Sequence, residues 1–171
     1  GVTSISGRVV RVDTLFDAER YVPDWPASFH GVEAGPLGAL MVSDGVVTGQ
    51  PVKPDDPALS AAQELSALLA VRGVPVAAGA AHDVLPEGTQ ELFVQQSAPL
   101  SAVVQEMLVN SDNNTAELLL KHVGLARKGL GSTANGVSSA MEVLNEWDAA
   151  QGVVMVDGSG LSASNRLTCG A

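Results

Sequence analysis

Between residues 49 and 57 the chain reads Gly-Gln-Pro-Val-Lys-Pro-Asp-Asp-Pro, with prolines at 51, 54 and 57. Each proline fixes φ and removes a backbone donor, so neither a helix nor a paired strand runs through such a stretch. The chain has to change course there, and its apolar period changes with it. Before the connector, Val2, Ile5, Val9, Val10 and Val12 cluster around Gly7, and Leu37 to Val42 form a second apolar run ahead of the Ser43-Asp44-Gly45 turn. Pro23-Asp24-Trp25-Pro26 between them reads as a rigid loop. These features predict a β-rich segment over 1–50, and a domain boundary at the connector separates it from 51–171.

Past the connector the spacing is helical. Asp56 can cap a helix that has Pro57 at its first position and ends before Gly73, with Leu65, Leu68 and Leu69 in its last turns. Val74 to Ala80 and Glu91 to Gln95 suggest short strands. Pro99 to Leu108 suggests a helix with Leu100, Val103, Val104, Met107 and Leu108 on one face. A further helix is expected from Asn114, with Glu117 closing a capping box, Leu118, Leu119 and Val123 facing inward, and Gly124 ending it. A last helix is expected from Val137 to Ala150, followed by a buried strand at Val153 to Val156.

Composition limits the function classes. The 171 residues carry 19 acidic and 9 basic side chains, a formal charge of −10. Nucleic-acid binding needs clustered Lys and Arg to displace counterions, and no such cluster is present; an acidic surface also disfavours anionic lipid. At 46% apolar and 16% charged the chain is globular, and with aromatics at 4% its core is built from Ala, Val and Leu. The single cysteine, Cys169, excludes an internal disulfide and a cysteine-based zinc site. His30, His82 and His122 have no i, i+4 partner of the kind that holds a metal on a helix. No metal and no cofactor are expected. The sequence contains no apolar run of membrane-spanning length and no signal peptide.

Two short constellations could carry chemistry. Ser111-Asp112-Asn113 lies in a turn between two expected helices, where a hydroxyl and an amide two residues apart can face one cleft. The same residues also serve as helix caps, which is an equally simple reason for their presence. Asp157-Gly158-Ser159-Gly160-Leu161-Ser162, followed by Asn165-Arg166, follows an expected strand; its glycines allow close backbone approach to a ligand or merely make a turn. Ser159 has Asp157 and Leu161 two positions to either side, not glycines, so it is no nucleophile elbow. Lys128-Gly129-Leu130-Gly131-Ser132 lacks the closing lysine of a phosphate loop.

Taken together, Met107-Leu108-Val109-Asn110-Ser111-Asp112-Asn113 with Ala116-Glu117-Leu118-Leu119, and Asp157 to Ser162 with Asn165-Arg166-Leu167, resemble in order and spacing two signatures of one family. That family is the D-alanyl-D-alanine carboxypeptidases/endopeptidases of the low-molecular-mass class C penicillin-binding type (peptidase S13-like). Weaker similarity extends upstream through Pro57 to Ala62 and Ser97 to Leu100. The resemblance implies an α+β fold: part of a penicillin-binding (β-lactamase/transpeptidase-like) domain with a β-rich inserted segment. It implies an extracytoplasmic enzyme acting on peptidoglycan stem peptides and reacting with β-lactams. By the same resemblance Ser111 and Asn113 are the catalytic candidates. The resemblance implies that Ser111 relays a proton to the leaving D-alanine and that Asn113 hydrogen-bonds the acyl-side amide. It also implies that Asp112 braces the turn and that Ser159, Gly160 and Leu161 line the substrate cleft.

The sequence departs from the family pattern in three respects. No serine is followed three residues later by lysine, since Lys53, Lys121 and Lys128 have Gln50, Leu118 and Leu125 at that position. No Lys-Thr-Gly or Lys-Ser-Gly occurs. Ala163 stands where relatives often carry a basic residue. Truncation at both ends is the expectation, with Cys169-Gly170-Ala171 falling where a helix is anticipated, and the chain alone is expected to be inactive. The alternative is a non-catalytic peptidoglycan-binding or structural protein of the same fold.

Overall fold

The computed structural model describes residues 1–169. Gly170 and Ala171, within the anticipated truncation point, lie outside the described residues. The chain forms two compact units: residues 1–14 with 38–97, and residues 15–37 with 98–171. The units cut across a division at the proline connector. That connector runs inside the first unit, and residues 15–37 join the helices of the second.

The first unit is a small βαβ arrangement. Strands β1 (Val9–Arg11) and β2 (Ala80–His82) pair in parallel, with Val9 opposite Ala80 and Arg11 opposite His82. Parallel neighbours need a crossover, and helix α1 (Pro57–Val71) supplies it. Its start follows the expected chemistry: Asp56 accepts from the Leu59 amide at 2.9 Å, and Pro57 occupies the first turn. The other oxygen of Asp56 takes a 2.6 Å bond from Arg11 on β1, so one carboxylate both caps α1 and ties it to the strand. The buried side of α1 is Ala58, Ala61 and Ala62. Such small residues let the strand backbone come close. Replacing Asp56 by Ala is expected to cost about 1 kcal/mol through loss of the cap, measurable as a lowered denaturant midpoint at an unchanged slope.

The second unit is helical: α2 (Leu100–Asn110), α3 (Asn113–Lys128) and α4 (Thr133–Glu146). Gly124 does not end α3. It sits inside the helix, where a Cβ would lie 2.7 Å from the Gly136 amide nitrogen, and a Cβ on Gly136 would lie 2.3 Å from the Leu120 carbonyl. These two glycines let the backbones of α3 and α4 touch. The helix instead stops at Gly129, in the left-handed conformation with φ 82°. Beside the helices, Val22, Trp25, Ala34 and Leu37 form the buried cluster of the unit, with Tyr21, Leu118 and Leu161 packed against it.

Several expected elements differ. The α+β class holds, but the β content over 1–50 is low: β1 is the one strand there among the described residues, and Leu37 to Val42 forms none. β2 begins only at Ala80, Glu91 to Gln95 is exposed and unpaired by any ladder, and Val153 to Val156 makes a single bridge, Val154 to Arg166. A β-branched run marks residues that suit a ladder, but forming one takes a neighbouring strand that sequence spacing does not reveal. α4 starts four residues earlier than expected because Ser132, whose hydroxyl accepts from the Asn135 amide, is the cap. Val123 is 40% exposed; the buried row of α3 is Asn114, Glu117, Leu120, Lys121 and Gly124.

Candidate functional site

α2 and α3 are joined by a turn of two residues, Ser111 and Asp112. Ser111 closes α2 in the left-handed conformation (φ 54°, ψ 46°), and its amide bonds to the Met107 carbonyl. A non-glycine residue seldom takes that conformation, and turns where it does are held by their surroundings. The hold here is Asp112. One of its oxygens accepts from the Thr115 amide at 2.9 Å and the other from the Thr115 hydroxyl at 2.6 Å.

Asp112, and not Asn114, is therefore the cap of α3. Asp and Asn cap equally well, and the hydroxyl of Thr115 favours the earlier one. Asn114 is buried and accepts from the Gly35 amide, while Asn113 in the first turn donates to the Glu33 carbonyl at 3.1 Å. Two successive asparagines thus hold the 33–35 segment along the start of α3. Ser111 is exposed.

The Asp157 to Ser162 run is organised around one carboxylate. Asp157 is 3% exposed and accepts from Trp25 Nε1 (2.8 Å), the Ser162 amide (2.8 Å), the Gly160 amide (2.9 Å), Asn165 Nδ2 (2.7 Å) and the Ser159 hydroxyl (3.2 Å). Burial works against its charge. The bonds from Asn165, Trp25 and the Ser162 and Gly160 amides outweigh it and hold the carboxyl below the usual range. Ser162 in turn donates to Asp24, whose carboxyl the Ser162 and Ser164 hydroxyls also lower. Of the three residues expected along a substrate cleft, Ser159 bonds Asp157, Gly160 is exposed with φ 81°, and Leu161 packs against the Trp25 cluster.

The two constellations meet through α3. Gly158 lies so close to that helix that a Cβ would come within 2.8 Å of Leu120 Cβ and 2.9 Å of the Ala116 carbonyl. Its amide donates to Glu117 Oε2 at 2.7 Å, and Glu117 Oε1 accepts from the Thr133 hydroxyl at 2.7 Å. Glu117 is completely buried; it is not the closing member of a capping box. Burial raises its pKa, the Thr133 and Gly158 bonds oppose the rise, and the neighbouring Asp157 charge adds to it. One turn further, Lys121 is 1% exposed and reaches Asp17 at 2.7 Å and Glu19 at 3.7 Å.

Sequence reasoning missed Glu117 and Lys121 as buried polar residues. The available signal was their spacing: Asn114, Glu117, Lys121 and Gly124 recur at three- and four-residue steps along one α3 face. Met107, Ala116, Leu119, Leu120, Val123, Met155 and Gly158 line an apolar cleft of about 240 Å³ beside this junction. Among the described residues no group of three His, Cys, Asp or Glu side chains is arranged to hold a metal ion, and no helix is long and apolar enough to cross a membrane.

Residues 48–171 match the family model described as the D-Ala-D-Ala carboxypeptidase 3 (S13) family. A carboxypeptidase of Mycobacterium tuberculosis is 32% identical over 97% of this chain and 36% of its own length. Carboxypeptidase DacB of Mycolicibacterium smegmatis is 31% identical over 93% of this chain and 35% of its own. A D-alanyl-D-alanine carboxypeptidase of an Actinomadura species is 31% identical over 67% and 22% respectively. The chain spans about a third or less of the length of these curated relatives.

Proposed function

The chain belongs to the D-Ala-D-Ala carboxypeptidase 3 (S13) family, and on that premise we propose that it is part of a serine-type D-alanyl-D-alanine carboxypeptidase/endopeptidase acting outside the cytoplasm on peptidoglycan stem peptides. The second unit represents its penicillin-recognising, transpeptidase-like domain, and the first unit the piece inserted into it. The observation that supports this reading is the junction at Glu117, where the helix that follows Ser111-Asp112-Asn113 is bonded to the Asp157 to Ser162 loop. Two motifs that start at Ser111 and Asp157 belong to one construction.

In this reading the hydroxyl of a serine in an S-x-x-K segment, absent from these 171 residues, attacks the D-Ala-D-Ala carbonyl carbon and forms an ester. The C–N bond breaks, and D-alanine leaves after its nitrogen takes a proton relayed through the Ser111 hydroxyl. Asn113 hydrogen-bonds the amide on the acyl side and so orients the carbonyl. Asp112 braces the turn, and Ser159, Gly160 and Leu161 form the wall beside the substrate. Water then hydrolyses the ester. β-Lactams acylate the same serine.

Fluorescent-penicillin labelling of the full-length protein, with the labelled peptide located by mass spectrometry, tests this. A label on a serine in an S-x-x-K context supports the enzyme, and residues 1–171 alone should stay unlabelled. A folded full-length protein that takes no label favours a non-catalytic peptidoglycan-binding role.

A further inference from the structure

We propose that Glu117 is a positioning residue, setting the Ser111–Asn113 turn and the Gly158–Leu161 loop at a fixed separation so that both meet the same substrate. The proposal rests on the carboxypeptidase reading and adds to it a residue that touches no substrate.

A fully buried carboxylate is a poor device for stability alone, since apolar residues of similar volume fill such a site at less desolvation cost. What a carboxylate supplies is two acceptors at a fixed angle. Glu117 directs them at different elements: one at the Thr133 hydroxyl, in the first turn of α4, and one at the Gly158 amide. It stands one helical turn beyond Asn113 on a continuous helix, and Gly158 immediately precedes Ser159. The loop therefore takes its position from the same rigid element that carries Asn113. Gly158 adds a steric component, because only a residue without Cβ fits against Leu120 and the Ala116 carbonyl. The far side of the loop is fixed separately, by Asp157 on Trp25, Ser162 and Asn165. Without Glu117 the loop keeps its own shape and loses its register on α3.

The test uses the full-length protein with Glu117→Ala, Glu117→Gln and Gly158→Ala. It reads the rate of acylation by fluorescent penicillin, kcat and KM on a D-Ala-D-Ala peptide, and the thermal unfolding midpoint. Misplacement of the order of 1 Å costs about a hundredfold in rate, so Glu117→Ala is expected to slow acylation roughly ten- to a hundredfold, chiefly in kcat. Glu117→Gln restores the rate to within about threefold of wild type, since its amide oxygen accepts from Gly158 while its NH2 donates to a Thr133 hydroxyl that has turned to accept. A folded Glu117→Ala protein acylated at the wild-type rate overturns the proposal, as does a Glu117→Gln protein as slow as Glu117→Ala. If Glu117→Ala does not fold, Gly158→Ala takes its place: it displaces the loop with Glu117 intact and should show the same fall in kcat, and a wild-type rate there overturns the proposal. An unlabelled wild-type protein is a separate outcome, which removes the carboxypeptidase reading itself and the positioning role with it.

Discussion

Ser111→Ala in the full-length protein is expected to slow acylation by penicillin about 10²- to 10⁴-fold while the protein stays folded, the range for loss of a positioned proton-transfer group. The fold should tolerate the change because the Ser111 side chain is exposed, and the turn around it is held by backbone and by the carboxylate of Asp112. The left-handed backbone at Ser111 suits Ala slightly less well, a cost that is small beside the kinetic effect. Asn113→Ala should act differently. It removes the bond to the Glu33 carbonyl and, with it, the acyl-side contact proposed for Asn113, so peptide KM should rise along with the fall in kcat. Stopped-flow acylation and peptide turnover on both variants separate the two roles. Wild-type rates in folded Ser111→Ala would remove that residue from the proton path.

The largest effect on stability is expected from Asp157→Ala. Two of the donors that it satisfies, Trp25 Nε1 and the Ser162 amide, are themselves buried. Leaving each without an acceptor costs about 1–3 kcal/mol, so the variant should lose about 2–6 kcal/mol by urea unfolding. Asp157→Asn keeps one acceptor oxygen and should lose less.

The pH dependence has two opposing parts. Asp157 has a lowered folded pKa, so its contribution is present above its unfolded value near about 3.9 and is lost as pH falls through the folded one. Glu117 has a raised folded pKa. Its contribution is full below its unfolded value near about 4.3 and is lost as pH rises through the folded one. Asp157→Asn should therefore flatten the loss of stability on the acid side of the profile, and Glu117→Gln the loss of stability as pH rises above it. Unfolding midpoints measured from pH 3 to pH 8 check both signs, and an unchanged profile in either variant contradicts the assignment for that residue.

How far the sequence can be read follows from which forces are local. The start of α1 was legible to the residue because Asp56 and Pro57 act on the first turn of their own helix. The capping of α3 was misplaced by two residues because Asp112 and Asn114 are equivalent locally, and the choice is made by Thr115 and by the Gly35 amide 79 residues away. Gly124 reads as a helix stop unless it is known that Gly136 lies against it. The strands expected near Leu37 and Val153 failed for the same reason, since pairing is a property of two segments. The Ser111–Asn113 and Asp157–Ser162 motifs were legible as residue types and spacings. Their connection was not, because the residue that makes it looks from its sequence position like an ordinary capping glutamate.

The split of the second unit into residues 15–37 and 98–171 bears on how the molecule is made. Trp25 leaves the ribosome 132 residues ahead of Asp157, its hydrogen-bond partner. At roughly 5–20 residues per second, the interval is of the order of ten seconds. During that time the first unit can complete its β1–α1–β2 crossover, while Val22, Trp25 and Leu37 wait with their apolar surfaces uncovered. Slowing translation beyond residue 98 should lengthen the exposure of this segment.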